Sequence, residues 1–287
     1  MNERARLGWG SRYLMCPPDH FDVVYEINPW MRRTVKVDRT LARRQWECFV
    51  STLRASGAEV EELTPVPGLP DLVFCANAGI VSGRIFVPAR FRHAERRPET
   101  PVVVEWFERR GYELVHLPDD LYQEGAGDAL PFGGVLVCGY RQRSDARAAT
   151  FLSEVLSVPT RSVELVDPRL YHLDLVFCPL DAQSALVAPT GLDRWGVRVL
   201  TDLVPDPIML TADEALSFCA NSVVVSDVVL MPHCTNRLRA ELELRGFDVR
   251  VVTVGEFEKA GGALRCLTLA MDLDLAQEWG KPGTAAS

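Results

Sequence analysis

A chain of 287 residues with 47% hydrophobic and 24% charged side chains can bury one large core or two modest ones, and it has the composition of an ordinary soluble protein. Its formal charge of -8, with no Lys/Arg cluster interleaved with aromatics, excludes a nucleic-acid surface and suits a cationic small molecule better. No run reaches the apolar length of a membrane span, and Met1-Asn2-Glu3-Arg4-Ala5-Arg6 lacks the apolar stretch of a signal peptide, so a cytoplasmic location is expected.

In chain order, apolar residues between Leu41 and Leu53 are spaced like a helix with one buried face, and Gly57 stops it. Short Val/Leu/Ile/Phe runs follow and read as strands. The order of helix, then glycine or turn, then strand recurs over 102–110, 146–156 and 235–245, with Gly111 and Gly246 as stops. The architecture is therefore mixed α/β. No Ser/Gly linker or low-complexity tract divides the chain, which points to a single domain over 1–279 and a loose tail over 280–287.

Five stretches look like worn copies of one unit. The run Asp71-Leu72-Val73-Phe74-Cys75-Ala76-Asn77 is echoed by Asp174-Leu175-Val176-Phe177-Cys178 and by Phe218-Cys219-Ala220-Asn221, and two further copies contain Glu124 and Cys266. With Asp71, Glu124, His172, Asn221 and Cys266 as markers, the unit recurs about every 50 residues, the signature of a closed array of supersecondary units. Equivalent residues of such an array point to one axis. A carboxylate, a histidine and a cysteine distant in sequence would meet there.

Cys266 follows Gly261-Gly262 and sits next to Arg265, a fixed positive charge that can favour a thiolate. A nucleophilic thiol needs a base, and His172 occupies the equivalent place two units earlier. The plainer alternatives are a structural thiol and a satisfied core histidine. Asp174, two residues after His172, would share its face on a strand and could orient the ring. In Gln123-Glu124-Gly125-Ala126-Gly127-Asp128 the small residues permit close backbone approach, so Glu124 and Asp128 could hold a planar cation by charge-assisted hydrogen bonds. A solvated acidic turn is the alternative. The eight cysteines include no CxxC pair and read as unpaired, reduced thiols. The five histidines include no HExxH, so no metal is expected.

Together these residues resemble the guanidine-modifying, or pentein, superfamily of arginine deiminases, dimethylarginine dimethylaminohydrolases, amidinotransferases and arginine dihydrolases. The resemblance spans nearly the whole chain. The opening 14–31, Cys75-Ala76-Asn77-Ala78-Gly79, Glu124 to Asp128, His172-Leu173-Asp174 and Arg265-Cys266-Leu267-Thr268 look most like the arginine dihydrolase catalytic domain. The family implies a fivefold pseudosymmetric ββαβ propeller around an acidic pocket, and no metal or organic cofactor. Position by position it implies Cys266 as nucleophile, His172 as general acid/base and Glu124 as the carboxylate behind it. Asp71 and Asp174 become substrate-contacting acids, Arg96 and Arg143 receivers of an α-carboxylate, and Asn28 part of a covering loop.

Asn77 stands where deiminases and dimethylarginine hydrolases carry an acid. A neutral amide both donates and accepts, so it suits guanidinium and ureido groups alike; turn-capping is its plainer role. The resemblance therefore implies a small-molecule partner, arginine or a methylated arginine, hydrolysed through a cysteine thiouronium. Arginine dihydrolase is the leading expectation, dimethylarginine hydrolase or arginine deiminase the next, then amidinotransferase. A non-catalytic propeller binding module is the alternative from outside enzymology. Because the chain ends at Ser287, it is expected to lack the further domain with which some dihydrolases process ornithine.

Overall fold

The structure, a computed structural model, describes residues 6–275; the expected tail 280–287 lies outside them. Five three-stranded sheets form the framework. Each holds an antiparallel pair whose second strand runs parallel to a third strand beyond a helix. Gly79–Ser82 pairs antiparallel with Ile85–Pro88, which pairs parallel with Glu113–Leu114. The same pattern is built from Ala129–Phe132, Val135–Tyr140 and Thr160–Glu164, from Phe177–Pro179, Ser184–Val187 and Asp206–Met209, and from Val223–Val225, Val228–Met231 and Asp248–Val251. In the fifth sheet Leu269–Ala270 pairs with Arg12–Met15, which lies parallel to Glu59–Glu62. The two ends of the chain thus complete one sheet and close the ring. This is the fivefold ββαβ propeller that the family resemblance implies, and the closed array that the repeats predict.

The expected helices are present as Arg39–Ala55, Glu99–Glu108, Ala148–Leu156 and Asn236–Leu244. In the first, Ala42, Trp46, Phe49, Val50 and Leu53 form the buried stripe, and Asp38 caps the start by accepting from Leu41 N at 2.9 Å. Gly57, Gly111 and Gly246 follow their helices at φ of +99°, +71° and +78°, a region that side chains resist.

The structure adds the helix Arg194–Leu203 to those expected, with the short helices Ala212–Leu216 and Gly255–Glu258. In Arg194–Leu203, Gly196, Val197, Val199 and Thr201 depress the helix propensity, and only Gly196 and Leu200 are fully buried, although Val197, Val199 and Leu203 also pack against the core. Parts of the apolar runs that read as strands are instead tight 3₁₀ turns, Pro70–Val73, Cys75–Ala78 and Leu173–Leu175. No helix among the described residues is long and apolar enough to cross a membrane.

Candidate active site

Each sheet is entered through a connection that carries marker residues. Asp71 and Asn77 precede Gly79–Ser82, Glu124 precedes Ala129–Phe132, His172 and Asp174 precede Phe177–Pro179, Asn221 precedes Val223–Val225, and Cys266 precedes Leu269–Ala270. All seven side chains are buried, so neither a solvated acidic turn nor a surface thiol describes them. Buried charges persist only where they are paired, and here Glu124 is paired with Arg143 and His172 and Asp71 lies 3.9 Å from Arg96.

His172 Nε2 lies 2.9 Å from Glu124 Oε2. The same oxygen accepts from Arg143 Nη1 at 2.9 Å, while Oε1 accepts from Arg92 N at 3.2 Å. Burial pushes the Glu124 carboxyl up, but Arg143, the His172 hydrogen bond and Arg96 together hold it well below the usual range. Glu124 is a permanent carboxylate behind the imidazole.

Both oxygens of Asp128 are engaged by the protein itself. The 3₁₀ turn Gly125–Gly127 carries it behind Glu124, where Oδ2 accepts from Ser144 Oγ at 2.6 Å and Oδ1 from Leu173 N at 3.0 Å. It anchors the backbone next to His172, and its carboxyl is pushed up to about 6 by burial.

Asp174 departs from expectation. Because Leu173–Leu175 is a turn and not a strand, Asp174 leaves the face of the ring and meets the nucleophile instead, with Cys266 Sγ 3.3 Å from Oδ2. Burial raises the Asp174 carboxyl to about 7. Burial, reinforced by Asp174, drives the Cys266 thiol well above its ordinary value. Arg265 does not supply the expected activation, since its guanidinium lies over the ring of Trp9, 4.9 Å from the centroid. The resting nucleophile is therefore a thiol.

Asn221 belongs to this site although sequence reasoning used it only as a repeat marker. Its Nδ2 donates to Cys266 Sγ at 3.2 Å and to Asp174 O at 3.1 Å. Its Oδ1 accepts from Ala263 N at 3.0 Å and Cys266 N at 3.2 Å. The place of Asn221 one unit before Cys266 was the available signal. Asn221→Ala is expected to lower stability by on the order of 1–3 kcal/mol for each stranded N–H, and to slow alkylation of Cys266 by iodoacetamide below that of wild type at equal pH, because the developing thiolate loses a donor. Unchanged alkylation in a folded variant would remove Asn221 from the thiol's chemistry.

Asp71, Asn77, Arg96, Arg143, Tyr171 and Asn28 line, together with Cys266, a narrow, partly open pocket of about 10 Å³. Asn28 covers it, donating from Nδ2 to Ala260 O at 3.0 Å. Arg143 Nη2 donates to the covering loop at Ile27 O, at 3.0 Å. Arg96 is held by both oxygens of Glu99, at 2.9 Å and 2.8 Å, so here it anchors its neighbours and is not an unpaired cation. Among the described residues, Asp71 Oδ1 and Asp174 Oδ1 are buried acceptors without a hydrogen-bond partner, and no group of three His, Cys, Asp or Glu could hold a metal ion.

Among known proteins, the family model described as N,N dimethylarginine dimethylhydrolase, eukaryotic, matches residues 26–273. The chain belongs to that family. The dimethylarginine dimethylhydrolase family match takes in every site residue from Asn28 to Cys266. The N(G),N(G)-dimethylarginine dimethylaminohydrolase of Mycobacterium tuberculosis is 38% identical over 258 residues, 90% of this chain and 85% of the relative. The bifunctional arginine dihydrolase/ornithine cyclodeaminase ArgZ of Synechocystis is 41% identical over 263 residues. This chain spans 37% of the length of ArgZ. In structure, the N-terminal domain of ArgZ with bound product, described as an arginine dihydrolase from cyanobacteria, superposes with a TM-score of 0.88 at 39% identity, covering 92% of this chain and 98% of that domain.

Proposed function

We propose that this protein hydrolyses the guanidinium group of arginine in two rounds through a covalent adduct on Cys266, giving ornithine, carbon dioxide and two ammonia molecules. One observation carries the reading: Asp71 lines the pocket that reaches Cys266 and Asp174 lies against the Cys266 thiol, and each has a buried carboxylate oxygen without a hydrogen-bond partner. Orphaned buried acceptors are costly, and a planar cation rich in N–H donors is the ligand that satisfies them. The likeness to the ArgZ domain supports arginine as that ligand.

As the cation enters, its charge favours thiolate, and Cys266 Sγ attacks the central carbon. The thiol proton passes by way of His172 to the departing ammonia, leaving a thiouronium. His172 then takes a proton from water as the water attacks the same carbon. The C–S bond breaks, citrulline forms and the thiol is restored. A second passage breaks the remaining C–N bond to ammonia and leaves a carbamate that releases carbon dioxide and ornithine. Glu124 holds the charge that forms on His172, and Arg143 is the cation placed to receive the substrate α-carboxylate once the Ile27 carbonyl moves aside. Asn77 makes the second passage feasible. With Asp71, Asp174 and Glu124 already present, a fourth acid would favour a cation over neutral citrulline, whereas an amide does not.

The M. tuberculosis relative and the family description favour a second reading, dimethylarginine hydrolysis that stops at citrulline. Incubation with arginine, dimethylarginine and citrulline, with products identified by mass, separates the two. Arginine and citrulline should both give ornithine, and Asn77→Asp should accumulate citrulline. Wild type that converts dimethylarginine in preference and makes no ornithine would replace the proposal by the second reading.

The pH dependence has a definite sign. Asp174 titrates near 7 in the folded protein against about 4 for a free carboxyl, so between those values it is protonated and must lose its proton to hold a guanidinium. KM for arginine should therefore fall as pH rises from 6 to 7, by about tenfold per unit at the limit, and level off above pH 8. A KM flat over that range would mean that Asp174 does not grip the cation.

A further inference from the structure

We infer that Asn77 is a positioning residue for His172: fixed from behind by Arg96, it turns its amide nitrogen to the ring and keeps Nδ1 bare and ready to accept a proton in the resting enzyme. The inference deepens the proposed function, because it rests on His172 as the proton carrier.

The two ends of an amide are told apart by their partners. Arg96 has donors only, so the Asn77 atom 2.8 Å from its Nη1 is the oxygen, Oδ1. Nδ2 then faces His172 Nδ1 at 3.4 Å. Arg96 cannot turn away, since Nε and Nη2 are engaged with both oxygens of Glu99, Nη2 also donates to Asp71 O at 3.2 Å, and the guanidinium lies 4.5 Å from the ring centroid of Phe91. The order Glu99, Arg96, Asn77, His172 therefore runs in one direction, each group fixing the next.

The opposite side of the ring completes the argument. Nε2 faces Glu124 Oε2, an acceptor only. Nε2 must carry a hydrogen and Nδ1 must not, which is the neutral Nε2–H tautomer. Asp128 Oδ2 stands 4.0 Å from Nε2 and the Tyr171 ring lies 4.7 Å away, and neither approaches Nδ1 as a hydrogen-bond acceptor. Gly127 makes the Asn77 contact geometrically possible: a Cβ there would lie 2.3 Å from Asn77 Nδ2 and 3.5 Å from His172 Nδ1.

This arrangement matches the state of the nucleophile. Cys266 rests as a thiol, and a ring nitrogen without a hydrogen can take its proton directly. An aspartate at 77 would accept from Nδ1–H and, with Glu124 on the other side, favour the imidazolium. The residue at 77 thus sets the resting proton count of the ring as well as the charge of the pocket.

The test is nitrogen NMR on protein carrying ¹⁵N-histidine, without substrate, with the His172 signals identified by their loss in His172→Gln. At neutral pH wild type should show Nδ1 in the unprotonated range and Nε2 in the protonated range. In Asn77→Ala the Nδ1 signal should move partway towards the protonated range, and in Asn77→Asp it should lie within it. An imidazolium or an Nδ1–H tautomer in wild type would overturn the inference, as would Asn77→Ala identical to wild type. If Asn77→Asp fails to fold, the other two proteins still decide. Because no substrate is present, the outcome is independent of which guanidine the enzyme consumes; the product assay tests that separately.

Discussion

Replacing Cys266 by serine is expected to lower turnover of arginine by about 10,000-fold or more, the scale on which removal of a nucleophile acts, while the protein stays folded and still binds substrate. The sulfur is buried between Asp174 Oδ2 and Asn221 Nδ2, and a serine hydroxyl can keep both hydrogen bonds. What it loses is nucleophilicity, because a hydroxyl ionises far less readily than a thiol. Cavity and strain costs should therefore be small, and the defect should appear in kcat with KM little changed. Kinetics with thermal unfolding on the same preparation check this. A folded Cys266→Ser protein with near-normal kcat would remove the covalent mechanism.

The second large effect belongs to His172. His172→Ala should lower kcat by on the order of 10²–10⁴-fold, slowing both formation and breakdown of the adduct, because one ring serves as acid and then as base. It should also cost stability. Without the imidazole, Glu124 Oε2 keeps Arg143 but loses its second partner, and a buried carboxylate short of partners is expensive. His172→Gln separates the effects by restoring a donor to Glu124 without restoring proton transfer. It should recover stability and leave the reaction slow. His116 and His233 serve as controls, since neither has a hydrogen bond or ion pair with Glu124 or Cys266. Equal damage from replacing either of them would show that His172 is not the proton carrier.

Much of this site was legible in the chain because a closed array turns sequence period into spatial proximity. The repeat markers Asp71, Glu124, His172, Asn221 and Cys266 all fall on connections entering successive sheets, so their spacing indicated that they meet, whereas Asn77 was legible through the family resemblance. Orientation was less legible. The place of Asp174 depends on whether Leu173–Leu175 is a strand or a turn, and one residue of backbone twist decides whether its carboxylate faces the imidazole or the thiol. The turn Gly125–Gly127 sets the direction of Asp128 in the same way. The wrong inference about Arg265 came from reading adjacency in sequence as proximity of charge. Its side chain leaves the nucleophile for Trp9, as neighbours with diverging side chains do.

Asn221 and Glu99 were invisible in their roles because each acts through a contact that no pattern encodes. The amide of Asn221 joins residues 174, 263 and 266. Glu99 begins a helix like many other acids, and only the fold reveals that Arg96 lies against it. Helix Arg194–Leu203 escaped because its sequence carries Gly196 and β-branched residues where a helix-former was sought.

The covalent step is tested most directly by acid-quenching the wild-type protein during turnover of arginine labelled at the guanidinium carbon, then measuring the mass of the peptide containing Cys266. The account predicts an increment equal to arginine less ammonia, on Cys266, carrying the label and chasing into citrulline and then ornithine. Product formation at full rate with no adduct on Cys266, or with the adduct on another residue, would contradict it.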